Sequence, residues 1–332
     1  MIFNSENIRK RKNRDIYNAM FKHSTFPSFE KVIYQSGDNA YMLKETVKND
    51  KCETLIELFD IDNPDLFRLK YQQAVSGDGN EERRILTLVS STLCALLFFY
   101  NITDTNPLEL ELNNKRVVFS KSIFEFRNVV FSNPSNIDVT LVGKDQQGNR
   151  VVLLLESKMV EYYRDVNIKS KEEISNKYLS DKIASKLYSE DLGYEIVNSN
   201  SGFRLHSNEI SYIDGIKQMI SHFVGVKNLV DGKYSDKNGH GNLELMKECV
   251  EDENAKFYLG VILFDKKIGE LKLSTGEACL RAFMFRYRSL VKLINERFNS
   301  SKLEMLNEVM LYSLFQNNKF FVEEKIKKFY FS

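Results

Sequence analysis

An uncharged stretch over residues 85–103 places the strongest constraint on the fold of this chain. It is 19 residues long, and its second half is apolar on nearly every side of a helical wheel. A helix of that kind must be covered by other parts of the protein on most sides. Its length is nominally sufficient to span a bilayer. Hydroxyl and amide side chains within it would be penalised by hydrocarbon: Thr87, Ser90, Ser91, Thr92 and Asn101. We therefore predict a buried helix over about 81–100 and no membrane span.

Composition limits the class of protein and its partners. The chain has 332 residues, of which 42% are apolar, enough for an ordinary folded core. The net charge is +1, so a polyanionic partner would have to be held by a local patch. The four cysteines show no C-x-x-C spacing, which is typical of free thiols in a reducing compartment. Residues 1–12 contain no apolar segment of the secretory kind, so we expect a cytoplasmic protein.

The remaining hydrophobic pattern alternates between strand and helix. Strand character occurs over 115–120, 123–131, 137–142 and 150–156, and a polar, Gly-containing turn over 143–149 joins the last two as a hairpin. Helices are predicted over 169–189 and 208–226, a buried strand over 257–264, a long helix from Ser274, and one or two helices over 303–330. The order of helix, three strands, helix, strand and further helices predicts a mixed α/β sheet with helices packed on it.

One end of the hairpin collects residues suited to metal-dependent hydrolysis. Glu156 and Lys158 follow an aliphatic run, and they share a face because side chains alternate along a strand. Asp138 begins the partner strand, which should place its carboxylate near that of Glu156. Mg²⁺ prefers carboxylate oxygens and also binds substrate phosphate, while a lysine beside it can stabilise an anionic transition state. The alternative is a strand that emerges into solvent, with Asp138 as an ordinary turn-adjacent acid.

Asp138 followed by Glu156-Ser157-Lys158, with a helix on either side, resembles the PD-(D/E)XK, or restriction-endonuclease-like, nuclease superfamily. The segments 77–81, 156–162 and 212–222 are more closely similar to bacterial proteins described as restriction endonucleases. Ile137 stands where the superfamily motif has proline, a departure that the superfamily tolerates.

This resemblance implies a nuclease core over 76–265, a mixed helical extension over 1–75 and a helical extension over 266–332. It implies a restriction or defence endonuclease that cuts DNA with Mg²⁺, for which Mn²⁺ could substitute. The metal ligands would be Asp138, Glu156 and the backbone carbonyl of Ser157. Double-strand cleavage would favour a homodimer. The alternatives are a DNA- or partner-binding protein of the same fold that has lost cleavage, and a DNA-repair nuclease.

Further residues are secondary candidates for the site. The resemblance points to Glu81 as an additional acid, although Glu82 is adjacent and either could simply suit a helix N-terminus. Glu125 is another carboxylate candidate, for which an outward strand position is the favoured interpretation. Gln218 is a further candidate by resemblance, but the helical wheel favours a solvent-facing position. His206 and His222 lack metal-ligand spacing, which indicates structural or exposed residues.

A basic stripe on the long C-terminal helix could contact DNA phosphates. It consists of Arg281, Arg288 and Lys292. Glu277 and Glu296 stand four residues from members of the stripe, so a solvated, salt-bridged face is the favoured interpretation.

Overall fold

The computed structural model describes residues 33–35, 41–77, 81–130, 134–159, 171–174, 182–187, 190, 195–199, 202–206, 213–234, 242–265, 274–298 and 300–331. The first elements are a small hairpin and four helices. They are β1 (Ile33–Gln35), β2 (Tyr41–Leu43), α1 (Lys51–Phe59), α2 (Pro64–Ala74), α3 (Glu81–Arg84) and α4 (Ser91–Phe99).

The continuous helix predicted over 81–100 is wrong, because α3 and α4 are separate. Between them the backbone pairs with β2: Leu43 N–H donates to Leu86 O at 2.8 Å, and Leu88 N–H donates to Tyr41 O at 3.0 Å. The Ser90 side chain then accepts from Leu93 N at 3.1 Å and starts α4 as its N-cap. Burial is as expected, since every residue of α4 from Leu93 to its end is buried. Among the described helices, none has the length and apolar character needed to cross a bilayer.

A mixed sheet of seven strands forms the centre of the molecule. Its first part consists of β3 (Leu108–Leu112), β4 (Lys115–Val129), β5 (Pro134–Asp145) and β6 (Arg150–Lys158), each antiparallel to the one before it. The predicted β5–β6 hairpin is confirmed, and the Asp145 side chain accepts hydrogen bonds from Gln147 N and Asn149 N in its turn. The strands predicted over 115–120 and 123–131 form one strand, β4, with a bulge between Phe119 and Lys121. Strand β3 was not predicted, although its residues alternate between buried and exposed.

The helix predicted over 169–189 is wrong in its first part. There, β7 (Lys171–Ile174) precedes a short helix, α5 (Lys182–Lys186), and a second sheet forms from β7, β8 (Glu195–Ser199) and β9 (Gly202–His206). Lysine and glutamate favour helices, but pairing of β7 with β9 overrides that preference. The next helix, α6 (Ile213–Val230), packs on β4 and β5. Residues 208–212 of the predicted helix lie outside the described residues.

The C-terminal part returns to the central sheet. Helix α7 (Leu243–Glu251) leads into β10 (Lys256–Leu263), which runs parallel to β6 and matches the predicted buried strand. Helix α8 (Ser274–Phe298) begins at the predicted residue. The sequence predicted only helices over 303–330, which is wrong. Two strands, β11 (Leu303–Met305) and β12 (Met310–Leu311), first pair with β10. Two helices then follow, α9 (Leu314–Asn317) and α10 (Glu324–Phe331). The segment 266–332 therefore contributes two strands to the same sheet.

Candidate active site

The hairpin brings Asp138 and Glu156 to the same end of adjacent strands. The antiparallel register pairs Val139 with Leu155, so Asp138 and Glu156 are the next residues across the pair. The backbone N–H of Ser157 donates to Asp138 Oδ2 at 2.7 Å, which ties the aspartate of β5 to the end of β6. The Ser157 side chain points to the opposite face, where its Oγ lies 2.9 Å from the Tyr312 hydroxyl. Alternation along β6 thus directs Glu156 and Lys158 to the site and Ser157 to the core.

The carboxylate of Glu156 is contacted on both oxygens. Lys158 Nζ donates to its Oε1 at 2.6 Å, and His222 Nε2 lies 2.8 Å from its Oε2. Burial by itself would raise the pKa of Glu156, but Lys158 and then His222 outweigh it and lower this pKa to about 2. Glu156 is therefore ionised at neutral pH although only 3% of its side chain is exposed.

Gln218 belongs to this site, and its expected solvent-facing position is wrong. Lys158 Nζ donates to Gln218 Oε1 at 2.7 Å, so the ammonium group bridges β6 and α6. The apolar stripe of α6, including Ile220 and Phe223, packs into the core. The adjacent face of the helix lies over the end of β6, where an amide can reach Lys158.

His222 is the site residue that sequence reasoning missed. It is buried, and its Nδ1 lies 2.5 Å from Ser135 Oγ at the start of β5. The absence of another histidine or cysteine nearby in sequence led to a structural or exposed interpretation. Its position four residues after Gln218 was an available signal, because residues four apart share a helix face.

Glu125 also faces the site, so the favoured outward position is wrong. In the β4–β5 register it falls opposite Asp138, and it is buried. Its backbone φ is 50°, in the left-handed region that costs a non-glycine residue roughly 1–2 kcal/mol. Burial, followed by the negative charges of Glu81 and Glu156, raises the pKa of Glu125 to about 8. Glu125 therefore lies among other acidic side chains although its backbone conformation is strained.

Glu81 lies beside Glu125, and Gly77 packs against both. A Cβ built on Gly77 would lie 2.8 Å from Glu125 Oε2 and 3.1 Å from Glu81 Cδ, so a larger residue here would displace these two carboxyl groups. Glu81 Oε2 is buried and has no hydrogen-bond partner among the described residues. The neighbouring Glu82 is exposed. The geometry therefore selects Glu81 over Glu82.

Asp138 lies between Glu125 on β4 and Glu156 on β6. Burial, followed by the charges of Glu156 and Glu125, raises the pKa of Asp138 well above its usual range, although Lys158 and the Ser157 N–H act in the opposite direction. Four carboxyl groups thus meet at one end of the sheet, from α3, β4, β5 and β6. Buried like charges repel one another, so a cation would stabilise the ionised form of this cluster.

The donor set fits a hard divalent cation. Within the part of the chain that the structure describes, no three His, Cys, Asp or Glu side chains already stand as a complete ligand group. Mg²⁺ needs no such group, because it commonly binds through one or two carboxylates and keeps several waters. Asp138 and Glu156 supply that number, and the unpartnered Glu81 Oε2 is a carboxylate oxygen that a cation or its water could satisfy.

The basic stripe on α8 is a salt-bridged surface. Arg288 Nη2 lies 2.6 Å from Glu308 Oε2, and Lys292 Nζ lies 3.9 Å from Glu296 Oε1. The pairing of Lys292 follows the expected spacing, whereas the partner of Arg288 comes from a distant part of the sequence. Arg281 is exposed on the same helix. These contacts favour the solvated interpretation over a dedicated phosphate-binding surface.

Comparison of the chain with protein-family models, with curated proteins and with solved structures finds no match.

Proposed function

We propose that this protein is a Mg²⁺-dependent endonuclease of the PD-(D/E)XK kind that hydrolyses phosphodiester bonds in DNA. The observation that carries the proposal is the convergence of Asp138, Glu156 and Lys158 at one end of two adjacent strands. The order α4, β4, β5, β6, α6 and β10, with β10 parallel to β6, supports it, since that order is similar to the superfamily core. A restriction or defence role, Mn²⁺ as a substitute and a homodimer that cuts both strands are parts of the same proposal.

Asp138 and Glu156 would hold the cation, with the backbone carbonyl of Ser157 as a further ligand. Glu81 and Glu125 flank these acids and could accept hydrogen bonds from cation-bound waters. A bound Mg²⁺ supplies charge neutralisation at the scissile phosphate and lowers the pKa of a water molecule. The burial of Glu156 and Glu125 supports the proposal, because the attraction between carboxylates and a cation is stronger where water is excluded.

Lys158 would act on the phosphate and on the attacking water. Contacts to Glu156 and Gln218 hold its ammonium group in one orientation, so little reorganisation is needed when a substrate arrives. From there it can donate a hydrogen bond to a phosphate oxygen and stabilise the negative charge that develops during attack. Gln218 is a positioning residue in this scheme, because it acts through Lys158.

One observation favours the alternative of a binding protein that does not cut. Lys158 and His222 already contact both oxygens of Glu156, so this carboxylate needs no cation to balance its charge. For Asp138 and Glu125, burial and the neighbouring acids outweigh the attraction of nearby cations and raise the pKa of both carboxyl groups, which is why we favour the nuclease. The two functions predict different outcomes when DNA is added.

Incubation of supercoiled plasmid with the full chain tests the proposal. We expect nicking or linearisation with Mg²⁺, and none with EDTA. Asp138→Asn and Lys158→Met should each lower the cleavage rate by about 10²-fold or more, the loss typical of removing a group that stabilises transition-state charge. Lys144→Met is the matched control, because Lys144 is exposed near the other end of β5. DNA binding without Mg²⁺-dependent cleavage would support the alternative.

A further inference from the structure

We propose that His222 is a positioning residue that fixes the Glu156 carboxylate for cation binding, an inference that rests on the proposed function. His222 lies on α6, Glu156 on β6 and Ser135 on β5, and the three side chains form one hydrogen-bonded chain. Only 3% of the side chain of His222 or Glu156 is exposed. Water therefore competes little for these contacts.

The hydrogen bond between His222 and Glu156 has a defined direction. An ionised carboxylate can only accept, so Nε2 of His222 carries the hydrogen that is donated to Glu156 Oε2. The other ring nitrogen, Nδ1, lies 2.5 Å from the hydroxyl oxygen of Ser135. Ser135 is itself held by the β4–β5 ladder, where it pairs with Asn128. The imidazole is consequently fixed at both ring nitrogens.

This arrangement assigns different tasks to the two oxygens of Glu156. Oε2 is occupied by His222, while Oε1 faces Lys158. Rotation of the carboxylate would break the contact with His222, so Oε1 remains on the Lys158 side, where the proposed catalytic groups meet. Outer partners that orient a metal ligand commonly change metal affinity by about 10–100-fold when they are removed.

Two variants of His222 separate this task from simple packing. The amide nitrogen of a glutamine reaches about as far as Nε2 of histidine, whereas that of an asparagine reaches only about as far as Nδ1. His222→Gln can therefore keep a donor for Glu156. His222→Asn can keep a contact with Ser135 but loses the donor to Glu156.

Calorimetric titration of Mn²⁺ into the full chain measures the effect directly. We expect His222→Asn to weaken Mn²⁺ binding by about 10–100-fold, and His222→Gln to restore most of the affinity. A purely structural histidine would lower the unfolding temperature in both variants and leave the affinity for Mn²⁺ unchanged, which would overturn the inference. Ser135→Ala keeps the imidazole, so it tests the hydrogen-bonded series Ser135, His222 and Glu156 even if His222→Asn does not fold. Its affinity should lie between those of the wild type and His222→Asn, and wild-type affinity would contradict the role of Ser135.

Failure of the inference and failure of the proposed function give different results. A wild-type protein that binds Mn²⁺ and cuts plasmid, together with a His222→Asn variant of equal affinity, overturns only the role of His222. A wild-type protein that neither binds Mn²⁺ nor cuts plasmid overturns both.

Discussion

The two faces of β6 carry different kinds of side chain, although alternate residues of the same strand supply them. On one face, Glu156 and Lys158 join an assembly of charged groups. On the other, Ser157 contacts Tyr312 within a layer of aromatic side chains. That aromatic layer joins α4 to the C-terminal segment through Phe98, whose ring lies 5.0 Å from that of Phe315 and 5.4 Å from that of Tyr330.

The two faces contribute differently to the free energy of unfolding. Burial of aromatic area on the Tyr312 face is favourable and gives that face much of its stability. The acidic face contains a residue with positive φ, Glu125, and a buried oxygen of Glu81 without a hydrogen-bond partner. Such features destabilise a ligand-free fold and are concentrated at functional sites in proteins. One face of β6 therefore carries closely packed aromatic rings, and the other carries a strained residue within a cluster of carboxyl groups.

The largest effect is expected from the aromatic face. Phe98→Ala should lower the free energy of unfolding by about 3–5 kcal/mol, because it removes a fully buried ring and leaves a cavity. The matched control is Phe285→Ala on α8, where the side chain is 72% exposed and the change should stay within about 0.5 kcal/mol. Urea denaturation measures both variants. Equal losses for the two would show that the aromatic layer does not stabilise the fold as described.

A second effect is expected from pH at the acidic face. The folded protein raises the pKa of Asp138, and that of Glu125 to about 8, so it retains protons that the unfolded chain releases near pH 4. The unfolded state then binds fewer protons, and stability falls as pH rises from about 4 to about 8. The pKa of Glu156 is lowered to about 2, so its contribution to stability is lost only as pH falls below this window. We expect the melting temperature in EDTA to be lower at pH 8 than at pH 5, and Mn²⁺ to raise it more at pH 8.

Glu323 lies outside the site, and burial raises its pKa to about 7, so it also makes stability fall as pH rises. Glu125→Gln removes only the contribution of Glu125 and therefore separates the site from Glu323. The variant should be more stable than the wild type at pH 8 without metal. One pKa unit corresponds to about 1.4 kcal/mol. A variant as pH-dependent as the wild type would show that Glu125 does not share the charge repulsion described above.

The acids of the hairpin were predictable because their proximity is encoded locally. A short turn fixes the register, and alternation fixes the face, so Asp138 and Glu156 could be placed from the sequence. The positions of Glu125 and Gln218 depend on a bulged strand and on the packing angle of α6, neither of which is encoded locally. His222 was missed for the same reason, since its partners Ser135 and Glu156 are remote in sequence.

The errors in the fold have the same origin. The separation of α3 from α4 depends on pairing with β2, and β7 depends on pairing with β9. In both places, pairing with a strand that is distant in sequence overrides the local preference for a helix. The buried strands β6 and β10 were predictable because their apolar runs are continuous.

We propose above that Asp138 and Glu156 share one divalent cation. Anomalous diffraction from crystals of the full chain grown with Mn²⁺ locates the ion independently of any activity. We expect a single strong anomalous peak within coordination distance, about 2.0–2.3 Å, of a carboxylate oxygen of each residue. Crystals that show no peak at this end of the sheet at saturating Mn²⁺, or a peak bound by other residues, would contradict it.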